Sequence, residues 1–79
     1  MTAEVLFFGA TADIVGLRRI AIAFEPDTKA SDILRKILVE YPTLASHKLH
    51  FSVNQRFSTG DEIICDKDEL AIFTAVSGG

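Results

Sequence analysis

Only one stretch of this chain carries a helical stripe, and that restricts the folds open to it. In Ser31-Asp32-Ile33-Leu34-Arg35-Lys36-Ile37-Leu38-Val39-Glu40-Tyr41, the apolar residues Ile33, Leu34, Ile37, Leu38 and Tyr41 fall on one face at i, i+4 spacing. Ser31 is placed to cap the helix and Asp32 suits the positive end of its dipole, while Pro42 stops it. A lone amphipathic helix has to bury its stripe on something, and the rest of the chain offers strands.

Glu4-Val5-Leu6-Phe7-Phe8 is a continuous apolar run closed by Gly9. Period two puts Val5 and Phe7 on one face and Leu6 and Phe8 on the other, so one set meets the core and the other needs a cover or a partner. Ala10 to Leu17, with Thr11, Asp13 and Gly16, reads as a connecting loop. It leads into Arg18 to Phe24, where Ile20, Ile22 and Phe24 alternate as a half-buried strand, and so short a connection predicts an antiparallel hairpin. Beyond the helix, Pro42 to His47 forms a turn. Leu49 to Val53 alternates as a strand with one polar face exposed, and Asn54 to Phe57 is an irregular edge. Two turns, Thr59 to Glu62 and Asp66 to Glu69, flank the short apolar segment Ile63-Ile64-Cys65. Leu70 to Thr74 closes the sheet.

Strand, strand, helix, strand, short piece and strand within 79 residues describe an α+β chain whose mixed sheet wraps one main helix. This is the β-grasp, or ubiquitin-like, plan, expected here as a single domain over residues 1–79. A ferredoxin-like arrangement needs a second full helix, for which Thr43 to Lys48 is too short.

Composition narrows the function classes. The apolar share of 48% favours a packed globule, and a net charge of −3 from 8 basic and 11 acidic residues leaves no footprint for nucleic acid or an anionic membrane. One cysteine, Cys65, rules out an internal disulfide and fits a reducing compartment. With neither a signal-type start nor an apolar run long enough to span a bilayer, cytoplasm is the expected location.

The chain ends Phe73-Thr74-Ala75-Val76-Ser77-Gly78-Gly79. A Gly-Gly end presents a carboxylate on a backbone without side chains, able to thread a channel too narrow for other residues. Residues 73–79 are expected as an extended tail whose last six residues reach on the order of 20 Å.

Val5-Leu6-Phe7-Phe8-Gly9-Ala10, Val53-Asn54-Gln55, Asp68-Glu69-Leu70-Ala71-Ile72-Phe73 and Val76-Ser77-Gly78-Gly79, taken in this order, resemble the MoaD family of ubiquitin-like sulfur carriers, the small subunits of molybdopterin synthase. The chain departs from the family pattern in two places. Lys67 stands where the family usually has Gly, and Thr74-Ala75 where it usually has two prolines, which would stiffen the arm.

The resemblance implies a function. Gly79 would be adenylated by an ATP-using adenylyltransferase of the ubiquitin-activating type and converted to a thiocarboxylate. Val76, Ser77 and Gly78 would thread into partner active sites, and the sulfur would pass to a cyclic pyranopterin phosphate in the large synthase subunit. A heterotetramer with that subunit is implied too. The chain itself would be a sulfur-carrying subunit and not an enzyme, with no bound cofactor or metal. In keeping with that, the sequence has no phosphate-binding loop, no Cys-His pairing and no dinucleotide motif. The resemblance also places Phe8, Phe57 and Phe73 on a surface shared by both partners, with a core position as the alternative reading of each.

The remaining candidates have simpler readings. His47 and His50 lack a third metal ligand and read as solvated turn or strand residues. Asp66, Asp68 and Glu69 lack the glycine and distal glutamate of a calcium loop and read as turn formers. Cys65, in an apolar segment with no neighbouring base, reads as a buried, inert thiol. Two other functions stay open: a carrier for thiamine or tRNA thiolation, or a ubiquitin-like modifier joined to lysines, and an interaction module whose glycines are incidental.

Overall fold

Val5 and Phe7 in the first strand and Leu70 and Ile72 in the last are each no more than 3% exposed. Two strands buried this deeply take the centre of a sheet, and their near-continuous apolar runs suit parallel pairing. In a computed structural model, which describes residues 1–74, β1 (Thr2–Phe7) and β5 (Glu69–Thr74) are parallel neighbours, with Val5 opposite Leu70 and Phe7 opposite Ile72. β2 (Arg19–Ala23) joins β1 antiparallel, and β3 (Leu49–Val53) joins β5 antiparallel. The two-residue β4 (Arg56–Phe57) closes the far edge, giving the order β2-β1-β5-β3-β4. The mixed sheet and the antiparallel first pair are as expected.

The expected loop from Ala10 to Leu17 is instead a short helix, α1 (Ala10–Val15), ended by Gly16 at φ 80. At six residues it is too short to stand alone and is held by tertiary contacts. Thr11 is fully buried. Its hydroxyl lies 2.7 Å from the Phe8 carbonyl O and 2.9 Å from the Ile72 carbonyl O, and it shares its one proton between them. Nothing in the local sequence pattern marks that link.

The main helix, α2 (Ala30–Glu40), lays Ile33 and Ile37 on the sheet at 1% exposure or less, with Leu34, Leu38 and Tyr41 half-buried beside them. Its start differs from the expected Ser31 cap. The cap lies two residues earlier, at Lys29, and the Asp32 carboxylate accepts the Lys29 N–H at 3.0 Å. That bond is the first cause of an Asp32 pKa held below its ordinary value, with Arg35 beside it acting in the same direction. Pro42 does end the α-helix, and Pro42–Ser46 continues as a 3-10 turn that buries Leu44.

Three further expectations are corrected. Cys65 is exposed. In the segment Ile63-Ile64-Cys65 only Ile64 enters the core, at 1% exposure, so its two neighbours point outward. On the polar face of β3, Ser52 is buried at 8% exposure, because its cross-strand neighbours on either side are Phe57 and Ala71. Asn54 and Gln55, read as an irregular edge, form the two-residue turn between β3 and β4 with φ 49 and 71, as a tight hairpin requires. Among the described residues no helix is long and apolar enough to cross a membrane.

Candidate functional site

α2 covers one face of the sheet; the opposite face carries the candidate site. Along β5 the alternation sends Leu70 and Ile72 inward and leaves Ala71 and Phe73 on the open face, as the sequence predicts. Phe73 and Thr74, the first two residues of the expected tail, are strand-paired with His50 and Leu49. Val76, Ser77, Gly78 and Gly79 lie outside the described residues.

Three chain segments bring aromatic rings to this face. Phe8 follows β1 directly, donates its N–H to the Ile72 carbonyl at 3.1 Å and is 51% exposed. Gly9 then turns the chain away at φ 57, ψ −129, a conformation open to glycine and strained for other residues. Phe57 on β4 is 74% exposed. Its ring centroid is 6.0 Å from that of Phe73, within the range of an aromatic pair. Phe8, Phe57 and Phe73 all lie outside the core, and with Gln55, Ala71 and Thr74 they line a groove of about 560 Å³.

His50, read from sequence as a solvated residue, belongs to the same cluster. It is exposed, and its ring stacks on Phe73 at 5.6 Å and 25° and meets Phe57 edge-on at 6.1 Å. The strand register decides this, because His50 is the direct cross-strand partner of Phe73.

Carboxylates brace the loops around the face. Asn54 donates to Asp68 at 3.0 Å and accepts the Glu69 N–H at 3.0 Å, tying the β3–β4 turn to the start of β5. Asp68 also accepts the Cys65 N–H at 2.7 Å, in the turn where Lys67 sits at φ 69. The left-handed φ at Lys67 accounts physically for the glycine usual at that position. Glu62 accepts from the Ser58 hydroxyl at 2.7 Å and from the Thr59 and Gly60 N–H groups. These bonds, the Ser58 bond foremost, hold its carboxyl below the ordinary range.

A mixed five-stranded sheet closed over one main helix, with the C-terminal strand at its centre and an apolar face beside that strand's end, defines a ubiquitin-like protein of the β-grasp class. The model of the ThiS family matches residues 5–79, and this chain belongs to that family. Human molybdopterin synthase sulfur carrier subunit is 32% identical, with 96% of this chain and 92% of the relative covered. The crystal structure of SAMP1 from Haloferax volcanii, a small archaeal modifier protein, superposes with a TM-score of 0.87 at 25% identity over the whole of both chains. A chain of the Helicobacter pylori complex between subunits 1 and 2 of the molybdopterin-converting factor gives a TM-score of 0.72 at 23% identity, again over both whole chains.

Proposed function

We propose that this chain is the sulfur carrier of molybdopterin biosynthesis and acts as a non-catalytic subunit of the synthase. The observation that carries the reading is the junction of β5 with the tail. The central strand, buried at Leu70 and Ile72, ends at Thr74, five positions before Gly79 in the sequence, and the Phe8–Phe57–Phe73 face lies beside that end. A rigid strand fixes where the tail leaves, and an apolar face at its base lets a partner grip the domain while the tail enters the partner's active site.

In this reading the Gly79 carboxylate, ionised and unreactive at neutral pH, attacks the α-phosphate of ATP on an activating enzyme and releases pyrophosphate. Hydrosulfide, sulfur already at the sulfide level, then attacks the acyl carbon and displaces AMP, leaving a thiocarboxylate. In the large subunit the sulfur passes to the pterin precursor, and water restores the carboxylate. ATP is used by the partner, and this chain supplies no acid, base or metal. The 32% identity with a sulfur carrier subunit over nearly the whole chain and the likeness to a chain of a two-subunit complex support this assignment and a large-subunit partner; the heterotetramer is part of the same proposal. A cytoplasmic location suits the ATP-dependent step.

The test is the intact mass of the protein purified from its own cells, with a Gly79-deleted control. A species heavier by one oxygen-to-sulfur exchange, mapping to the last residue and absent from the control, is the expected result. Its absence after incubation with ATP, a sulfur source and the activating enzyme would overturn the proposal. The likeness to an archaeal modifier favours one second reading, conjugation of Gly79 to lysines, which would appear as Gly-Gly remnants on lysine side chains after trypsin digestion.

A further inference from the structure

The open face does not stop at the groove beside β5. A second groove, of about 360 Å³, passes around the sheet edge between β3 and the start of α2, lined by Leu34, Leu49, Phe51 and Ser58 among others. Phe57 lines both grooves, and His50 lines the second while stacking on Phe73 in the first cluster. The two rings form a ridge joining the grooves into one surface. β4 permits this by being only two residues long, so it leaves the edge of β3 at Leu49 and His50 uncovered.

His50 is the one polar ring in this cluster. One contact is the stack on Phe73 and the other the edge-on approach to Phe57, so the ring is flanked by two aromatics on the sheet. His50 is exposed and among the described residues its ring nitrogens make no hydrogen bond, so the imidazole keeps its hydrogen-bonding capacity for a partner. An apolar surface alone gives affinity with little direction; a fixed polar group within it discriminates between partners, because a wrong counter-surface leaves that group unpaired once buried.

We infer that His50 is a specificity-determining residue of the docking face, and that the large synthase subunit covers the Phe57–His50 ridge and offers a polar group to the imidazole within an otherwise apolar footprint. This inference rests on the sulfur-carrier reading. The occupant follows from continuity, since the ridge is shared with the groove at the base of the tail and a partner gripping Phe57 and Phe73 necessarily approaches His50.

The test is calorimetric titration of the full-length chain into its cognate large subunit, comparing the parent with His50→Phe, His50→Gln and His50→Asn. Phenylalanine keeps the ring and its stacking but removes both nitrogens. Its expected effect is about a 10-fold weaker affinity, the value of one hydrogen bond lost from a buried interface, with the melting temperature unchanged. The amide that places its polar group where the engaged ring nitrogen stood, Gln for Nε2 or Asn for Nδ1, recovers part of that loss. Binding of His50→Phe within twofold of the parent would overturn the inference while leaving the sulfur-carrier reading intact. Failure of the parent chain to bind the large subunit at all would remove both.

Discussion

Replacing Phe57 by alanine separates the two uses a protein makes of an aromatic residue. Phe57 is 74% exposed, so about a quarter of it is covered, with His50, Phe73 and Ser52 as neighbours. A fully buried aromatic removes about 200 Å² from water. A quarter of that, about 50 Å² at about 25 cal/mol per Å², comes to about 1 kcal/mol of folding stability. The aromatic contacts add a few tenths to that figure in so open a setting, far short of the 3–5 kcal/mol typical of a core Phe→Ala change (about that range). Docking is a different matter. An aromatic anchor at the centre of an interface is worth about 2 kcal/mol or more, or about 30-fold in affinity. Urea unfolding and titration against the large subunit, both on Phe57→Ala, give the two numbers side by side. A stability loss above about 3 kcal/mol with affinity retained would place Phe57 in the core's energetics and refute the reasoning.

Other perturbations test the scaffold. Thr11→Val removes the hydroxyl, but the Phe8 and Ile72 carbonyls keep the Thr11 and Phe8 N–H groups as donors, so the expected cost in urea unfolding is about 1 kcal/mol; no change would mean the shared bond contributes nothing. Gly9→Ala meets no atom within 4 Å, so its cost is backbone strain at φ 57 alone, about 1–3 kcal/mol in the same assay. Phe73→Ala should weaken docking with little change in melting temperature, and a large fall in melting temperature with docking retained would assign Phe73 to the core. Asp32 and Glu62 are both held below their ordinary values of 3.8 and 4.5. Their stabilising effect is therefore complete above those values and is lost as pH falls through the lower folded-state values. Stability should drop as the solution is acidified below about pH 4.5, and Glu62→Gln should flatten that limb; an identical acid limb in the variant would show that Glu62 does not contribute.

Elements with a strong period were legible from residues alone. The stripe of α2, the alternation of β2 and β3 and the inward and outward faces of β5 are local properties, because side chains two or four positions apart share a face whatever the rest of the chain does. The same logic failed where the signal was short or conditional. Six residues of α1 carry too little pattern to be seen, and the helix forms because Thr11 reaches Ile72, sixty-one positions away in sequence. Cys65 is exposed, against the expectation, because an apolar triplet does not say how many of its members enter the core.

The sequence by itself determined that one main helix is packed on a mixed sheet, and that the Gly78-Gly79 pair follows the last strand. Only the tertiary structure decided that β5 lies between β1 and β3, a pairing set by burial of Val5, Phe7, Leu70 and Ile72 and by no local signal. That placement brings residues 8, 50, 57 and 73 onto one face. Periodicity reports which way a side chain points, but the neighbours it meets depend on strand order and register, and those are set by contacts far apart in the chain.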